Sequence, residues 1–220
     1  MTPDTQRTAA TRPLRKDAER NRQRIIASAM EVFRERGFDA TLDDVAHHAG
    51  LGVGTVYRRF PNKEQLIESM FSERLDEINA LARRALADPV PWQGFVRFLE
   101  QVIEMIASDR GMHDVMVSTT FGHDQVAQVR DQLLPLGRDL VRHAKDGGEL
   151  RSDFEVEDVV VIIKMCGAVS AYTGHVAPGL WRRYFALLVD GLRAKPGDQS
   201  PLPVPALSEE TLRQVMDCPP

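Results

Sequence analysis

Hydroxyl, phenol and cationic side chains are concentrated in one run of the chain, TLDDVAHHAGLGVGTVYRRFPNK at 41–63. The donors in its second half are Thr55, Tyr57, Arg58, Arg59 and Lys63. All five can donate hydrogen bonds and three carry positive charge, which is the chemistry that binds the phosphate oxygens of a nucleic acid. The run therefore predicts a phosphate-binding surface.

Two short helices joined by a glycine-marked turn are predicted to position these side chains. Thr41 and Asp44 have the spacing of a capping box, and Gly50 supplies the left-handed residue that ends the first helix. The apolar residues that recur at helical spacing between them are Leu42, Val45, Ala46 and Ala49. A turn at 51–53 leads into the second helix. This arrangement is a helix-turn-helix, whose second helix is suited to a DNA major groove.

The segment from Arg24 to Leu66 resembles the DNA-binding domain of the TetR family of bacterial transcriptional regulators. The matching elements are the lead-in IIASAMEVFRERGFDATLDDVA, the unit AGLGVGTVYRRF and the helix start PNKEQL. The rest resembles the family in size, helical texture and the GELRSDF loop at 148–154. The resemblance implies an all-α protein, with an N-terminal three-helix helix-turn-helix domain followed by a helical bundle that binds a ligand and dimerises.

Base reading is expected from the beginning of the second helix, at Gly52, Val53, Gly54 and Thr55. The glycines would let the backbone approach DNA closely, Val53 could contact a thymine methyl group, and Thr55 could bond a base edge or a phosphate. Many relatives have serine at the first of these positions and a polar side chain at the second. Because the hydrogen-bonding set is sparse here, more weight falls on Arg58, Arg59 and DNA shape.

The resemblance implies a phosphate contact for the Tyr57 hydroxyl and a DNA contact for Arg59. A core aromatic is the alternative for Tyr57, and a solvated side chain is the alternative for Arg58. Lys63 begins a long helix, where its charge and the free N–H groups favour a phosphate. Thr41 is expected to cap its helix and also to contact a phosphate.

Charge is unevenly distributed along the 220 residues. The net charge is −4, but residues 1–63 hold 12 Lys/Arg and 8 Asp/Glu, whereas the remainder holds 16 and 24. The positive end is therefore the predicted DNA-binding end. There is no apolar run of ~20 residues and no signal peptide, so we expect no membrane partner. Two cysteines, Cys166 and Cys218, favour a reduced, cytoplasmic setting.

Motifs typical of enzymes are missing from the sequence: there is no Walker lysine, dinucleotide glycine fingerprint, GxSxG or HExxH. Cys166 lies in an apolar helix, where a thiol is ordinarily inert. We therefore expect no catalytic residue, no metal and no cofactor. Two functions remain. One is a repressor released from its operator by a small, largely apolar effector. The other is a helix-turn-helix regulator without such an effector, controlled by a protein partner or its own level.

Periodicity divides the chain into four predicted regions: a disordered basic arm (1–16), the helix-turn-helix domain (17–63), a helical effector-binding and dimerisation domain (64–194) and a proline-rich tail (195–220). Helices are expected at 17–36, 62–87, 92–108, 112–119, 124–145, 155–175 and 180–194. The helix at 124–145 is expected to be interrupted near Pro135. The run at 159–163 has the composition of a strand, although its neighbours favour helix. The tail is expected to be extended or disordered, although SEETLRQVM could form one short amphipathic helix.

An effector pocket is predicted between the helices at 92–108 and 155–175. Its candidate lining residues are Phe98, Val102, Met105, Met112, Met116, Phe121, His123, Met165 and Tyr172. Methionines adapt to ligands of varied shape, but each of these residues could instead belong to the core. Ligand binding there is expected to tilt the long helix at 62–87 and release the DNA.

A homodimer is expected through the helices at 155–175 and 180–194. The candidate interface residues are Lys164, Gly167, Ala168, Ala171, Leu180, Tyr184, Leu187 and Leu188. Antiparallel pairing across a two-fold axis would form a four-helix interface, with core burial as the alternative for each residue. Two recognition helices about 34–36 Å apart then read a (pseudo)palindromic operator on double-stranded DNA.

Overall fold

The computed structural model describes residues 11–108, 123–195, 197 and 199–217. Their helices are α1 (Thr11–Arg36), α2 (Leu42–Ala49), α3 (Val53–Arg59), α4 (Lys63–Leu86), α5 (Pro91–Ser108), α6 (His123–Asp146), α7 (Val156–Thr173), α8 (Trp181–Leu192) and α9 (Glu209–Asp217), with a short 3-10 turn at Gly37–Asp39. The all-α prediction is confirmed. Across these ranges, no helix has both the length and the hydropathy needed to cross a bilayer.

Helices α1, α2 and α3 belong to the first of two compact units, Met1–Met70. Its described core contains Ile25, Ile26 and Phe33 of α1, and α2 contributes the buried face that the sequence predicted. Val56 of α3 is fully buried. Packing rather than length holds α2 and α3 in place, since helices of eight and seven residues are unstable in isolation.

The boundaries of this unit differ from the predicted ones at both ends. Helix α1 begins at Thr11, so residues 11–16, assigned to a disordered arm, are helical. Residues 1–10 lie outside the described part of the chain. At the other end the compact units divide after Met70, within α4, rather than at residue 63. No Gly or Pro interrupts α4 between 63 and 86, so periodicity alone gives no boundary there.

The second unit, Phe71–Pro220, has a core built around α5, which packs on α6, α7 and α8. Phe95 lies at its centre, with its ring edge-on to Phe154 at 5.8 Å and tilted to Trp92 at 6.2 Å. Trp181 begins α8 and is 1% exposed. Aromatic pairs with this geometry add to the free energy gained from apolar burial.

Helix α6 runs unbroken through Pro135, where the sequence predicted an interruption. Proline removes one helical N–H and crowds the preceding turn. Leu134 and Leu136 pack against the core on either side, and this burial offsets the missing hydrogen bond. Residues 159–163 are helical, as their neighbours indicated. The short helix predicted at 112–119 lies outside the described residues.

The proline-rich tail is attached to the rest of the second unit at two places. Arg151 binds Asp153 through Nε and Nη2 at 2.5 and 2.9 Å, and Nη2 also donates to the Ser200 carbonyl at 2.9 Å. Farther along, Glu209 accepts from Arg138 at 2.5 Å, and Leu212 of α9 is buried. The short helix that the sequence allowed is observed as α9, and the described residues between α8 and α9 are not helical.

Asp153 gives this attachment a pH dependence. Its hydrogen bonds from Arg151 are the main cause that lowers the pKa of Asp153 to about 2, and the Leu202 N–H contributes. The stabilisation is therefore complete above the ordinary aspartate pKa and is lost as the pH falls towards 2. Because the Asp153 side chain is 37% exposed, screening by solvent limits the contribution of its ion pair to the free energy of unfolding to about 1 kcal/mol.

We expect Asp153→Asn to lower the free energy of unfolding at neutral pH by about 1 kcal/mol. The difference from the unmodified protein should shrink below pH 4 and vanish near pH 2, as measured by urea unfolding at each pH. Ser152→Ala, an exposed neighbour, is the control. A difference that stays constant with pH would contradict an ionic contribution from Asp153.

Candidate nucleic-acid interface

The helix-turn-helix is held by local backbone hydrogen bonds. Gly50 ends α2 at φ 61° and ψ 37°, the left-handed conformation that the sequence predicted. The Leu51 N–H donates to the Ala46 carbonyl at 3.0 Å, and the Thr55 N–H donates to the Gly52 carbonyl at 2.8 Å. The turn and the first turn of α3 therefore have a fixed geometry, which a base-reading element requires.

The first turn of α3 presents the predicted base-reading residues to solvent. Val53 is 44% exposed, and Gly52 and Gly54 are exposed, whereas Thr55 is half-buried. A Cβ atom added to Gly54 would have no neighbour within 4 Å, so the backbone there is accessible from outside. The arrangement allows a duplex to approach the main chain of α3 closely.

Tyr57 is 44% exposed on α3, so the alternative of a core aromatic is wrong. Val56 and Phe60 fill the core instead. The charge of Asp43, on α2, is the largest cause that raises the pKa of Tyr57. A hydrogen bond between the phenol and the Asp43 carboxylate contributes too, so the phenol O–H would have to leave Asp43 to donate to a phosphate. Spacing could not reveal this neighbour, because the two residues belong to different helices.

The two arginines of α3 differ in their surroundings. Arg58 folds back along its own helix, with Nε donating to the Gly54 carbonyl at 3.3 Å and Nη2 to Thr55 Oγ1 at 3.5 Å. Arg59 is exposed in the last turn. Arg58 would have to leave these weak contacts to reach DNA, whereas exposed Arg59 is already accessible from solvent.

Thr41 is confirmed as the cap of α2. The Asp44 N–H donates to Thr41 Oγ1 at 3.2 Å, while the Thr41 N–H and hydroxyl both donate to Asp44 Oδ2, at 2.9 and 2.7 Å. These bonds, with Arg36 nearby, lower the pKa of Asp44. The single hydroxyl proton of Thr41 is therefore committed to Asp44. A phosphate contact by this hydroxyl stays a prediction, and it would require the proton to turn away.

Lys63 is the first residue of α4, which Asn62 caps by accepting from the Gln65 N–H at 2.9 Å. The ammonium group lies over the Phe33 ring of α1, 5.3 Å from its centroid. Burial is the largest influence on the pKa of Lys63 and lowers it, against the charges of Asp39 and Glu64. The sequence did not predict this contact, because no sequence pattern connects residues 30 positions apart.

An exposed apolar face runs along α7 and α8 in the second unit. We call this the outward face, and it consists of Val161, Met165, Ala168, Tyr172, Tyr184 and Leu187. Its α7 members recur at the i, i+4, i+7 and i+11 positions of one helical stripe. The exposed fractions of Tyr172 and Leu187 are 83% and 60%. Exposed apolar residues grouped in this way are typical of surfaces that contact another molecule.

The pocket residues predicted from sequence separate into three groups. Phe98 and Val102 are buried in the core, and Met105 packs against it. Met165 and Tyr172 lie on the outward face, so their assignment to an interior pocket of this subunit is wrong. The remainder, Met112, Met116, Phe121 and the His123 side chain, lies outside the described residues. Because α7 is apolar on most sides, its pattern does not reveal which side faces inward.

The predicted dimer residues are mostly accessible from solvent. Lys164, Ala168, Ala171, Tyr184 and Leu187 are exposed, and Leu180 is half-buried. Gly167 is buried, and a Cβ added there would lie 3.7 Å from Ile106 Cγ2, so it faces α5 rather than a partner. Leu188 packs against the core of its own subunit. The assignment of Gly167 to the dimer surface is therefore wrong. Leu188 is half-buried against its own subunit, so only part of its side chain is open to a partner.

Two family models match the chain, one in each compact unit. Residues 25–70 match the model described as bacterial regulatory proteins, tetR family. Residues 90–194 match the model described as transcriptional regulator SbtR-like, C-terminal domain. The first match contains the whole helix-turn-helix, and the second contains α5, α6, α7 and α8.

Individual proteins resemble the chain over most of its length. SrpR of Pseudomonas putida, an HTH-type transcriptional regulator, is 27% identical over 67% of this chain and 72% of its own. The structure of a TetR transcription regulatory protein from Mycobacterium vanbaalenii is 28% identical, with a TM-score of 0.65, over 83% of this chain and 100% of the other. FadR of Bacillus subtilis, solved with stearoyl-CoA, has a TM-score of 0.62 at 18% identity, over 77% and 98%.

Proposed function

Because the chain belongs to the TetR family of transcriptional regulators, we propose that it is a dimeric repressor whose α3 helices read a (pseudo)palindromic operator. Membership of this family also means that the chain is not an enzyme, as we expected from the absence of enzyme motifs in its sequence. One observation carries the proposal: the first turn of α3 is exposed, with donor and cationic side chains following it on the same helix.

The roles of individual residues follow from their positions. Gly52, Val53, Gly54 and Thr55 face the bases, where the main chain is open. Tyr57 and Lys63 bind phosphates, and Arg59 binds a phosphate or a base edge. Tyr57, Arg58 and Thr41 contribute only after leaving their present partners. Contacts to phosphate set affinity and its dependence on salt, whereas the few base contacts leave part of the specificity to DNA shape.

Dimerisation through the outward face supports this reading of DNA. Exposed apolar residues on two adjacent helices supply the self-complementary surface that a two-fold interface requires. Lys164 is exposed and lies in the same stripe as Val161 and Ala168. In a dimer this ammonium needs an acidic partner, and the exposed carboxylate of Asp190 on the α8 of the partner would suit it.

Release by a small, largely apolar effector is the second part of the proposal. Helix α5 carries Phe98, Val102 and Met105 on its inner side, which would form an apolar wall. The fold is shared with FadR, a protein solved with stearoyl-CoA. A ligand that prefers one arrangement of the second unit would shift the population towards it, and DNA would oppose that ligand by the same factor.

Gly54→Ala separates DNA binding from folding. The added methyl group has open space in the free protein and strengthens the helix, so the thermal midpoint should not fall. The same methyl group would occupy the gap between the main chain and the bases, which should weaken operator binding about tenfold or more. DNase footprinting on the duplex that flanks the protein's own gene supplies the operator, and fluorescence anisotropy supplies the affinity.

The comparison for Gly54→Ala is the double variant Tyr57→Phe with Lys63→Ala. It should weaken binding to every sequence, and because the Lys63 charge is lost it should also flatten the salt dependence. If the Gly54→Ala protein binds the operator as tightly as the unmodified protein, the first turn of α3 does not contact the bases. If the unmodified protein ignores all duplexes in dilute salt, the proposed function itself fails.

A further inference from the structure

Phe33 and Lys63 form a contact between α1 and the start of α4. The Phe33 ring is 2% exposed and is fixed among the core residues of the first unit. The Lys63 ammonium group lies 5.3 Å from the ring centroid, within the range of a cation–π interaction. One face of the ring is thus used by a charged group rather than by apolar neighbours.

The position of the ammonium group is set from two further sides. Lys63 is the first residue of α4, so the free N–H groups of that helix lie next to it. Asp39, in the 3-10 turn after α1, and Glu64 attract the ammonium group by charge. The Phe33 ring also contacts the ammonium group but carries no net charge, so this contact leaves the positive charge of Lys63 unneutralised.

We propose that Phe33 is a positioning residue for DNA binding: its ring holds the Lys63 ammonium group at the start of α4, where a backbone phosphate binds. A free lysine loses rotamer freedom when a phosphate fixes it, and this loss weakens binding. A lysine already restrained on a rigid ring loses less. The inference rests on the proposed DNA binding and adds a residue that does not itself contact the duplex.

A double-mutant cycle tests this role. The four proteins are the unmodified chain, Phe33→Leu, Lys63→Met and the double variant. Leucine keeps an apolar side chain in the core but removes the ring, and methionine keeps the length of lysine without its charge. Affinity for the footprinted operator is measured by fluorescence anisotropy from roughly 50 to 200 mM salt, where phosphate contacts dominate the change.

Phe33→Leu is expected to weaken binding about two- to fivefold when Lys63 is present. It should change nothing in the Lys63→Met background, because there is no ammonium group left to hold. The salt slope is the slope of the logarithm of the binding constant against the logarithm of the salt concentration. Lys63→Met should reduce its magnitude by about 0.9 for each phosphate that the ammonium group neutralises. Phe33→Leu should reduce it by a smaller amount. Ile26→Val, two turns earlier in α1 and fully buried, is the control for weakened packing and should leave the slope unchanged.

Equal losses of affinity from Phe33→Leu in both backgrounds would overturn the proposal, because a purely structural residue acts regardless of Lys63. A Lys63→Met protein with an unchanged slope would overturn it too, while leaving operator recognition intact. If leucine does not support folding, Phe33→Met is used in the same cycle. A second measurement needs no DNA: the Lys63 ε-methylene protons should show a ring-current shift that disappears without the ring.

Discussion

A Leu187→Asp variant is expected to be monomeric and to bind its operator on the order of a hundredfold more weakly or worse. Leu187 is 60% exposed on the outward face, one helical turn from Tyr184. Burying a carboxylate in the proposed apolar two-fold interface is strongly unfavourable, and the two-fold axis would place two copies of it there. Loss of the dimer also removes the high effective concentration that the first half-site gives to the second.

The measurement is sedimentation velocity for mass together with anisotropy on the full operator and on a half-site. Ala186→Asp adds the same charge to the neighbouring exposed position, 100° around α8 and off the apolar stripe, and should stay dimeric. Half-site affinity should be equal in both variants. A dimeric Leu187→Asp protein with full operator affinity would show that dimerisation, if it occurs, uses another surface.

Gly94→Ala should cause the largest loss of stability among simple substitutions. A Cβ atom at this position of α5 would lie 2.3 Å from the Ala85 carbonyl oxygen and 2.9 Å from Asp88 Cβ. Main-chain atoms at the end of α4 cannot rotate away as a flexible side chain could. Overpacking of this kind costs about 3 kcal/mol, and the thermal midpoint should fall by about 6–12 °C in a domain of this size.

Gly191→Ala is the matched control, since Gly191 also lies within a helix but its added Cβ would meet nothing within 4 Å. Alanine should leave the midpoint unchanged or raise it by the helix preference of up to about 1 kcal/mol. Calorimetry on the two variants compares them directly. If the Gly94→Ala and Gly191→Ala proteins have the same thermal midpoint, then the end of α4 does not approach α5 this closely.

Local signals in the sequence were sufficient for the helix-turn-helix. The capping box of Thr41 and Asp44 spans three residues, and Gly50 marks a conformation that few other residues adopt. Each of these features depends on neighbours within one turn, so periodicity and residue type were enough to find them.

Contacts between distant residues could not be predicted in the same way. Arg151 and the Ser200 carbonyl are 49 positions apart, and Phe33 and Lys63 are 30 apart. Nothing in spacing or composition connects such pairs. Helix α7 posed a different difficulty, because it carries apolar residues on most sides. Met165 and Tyr172 therefore looked like inner residues, although they are exposed.

The way α9 is attached determines what a reporter at the carboxyl end would sense. Arg138 of α6 pairs with Glu209, and buried Leu212 fastens the same short helix. Val215 lies one turn further on and is 56% exposed, so it accepts a bulky label without disturbing packing. An environment-sensitive dye there would report on movements of α6 during ligand titrations, although α8 is much nearer to it along the chain.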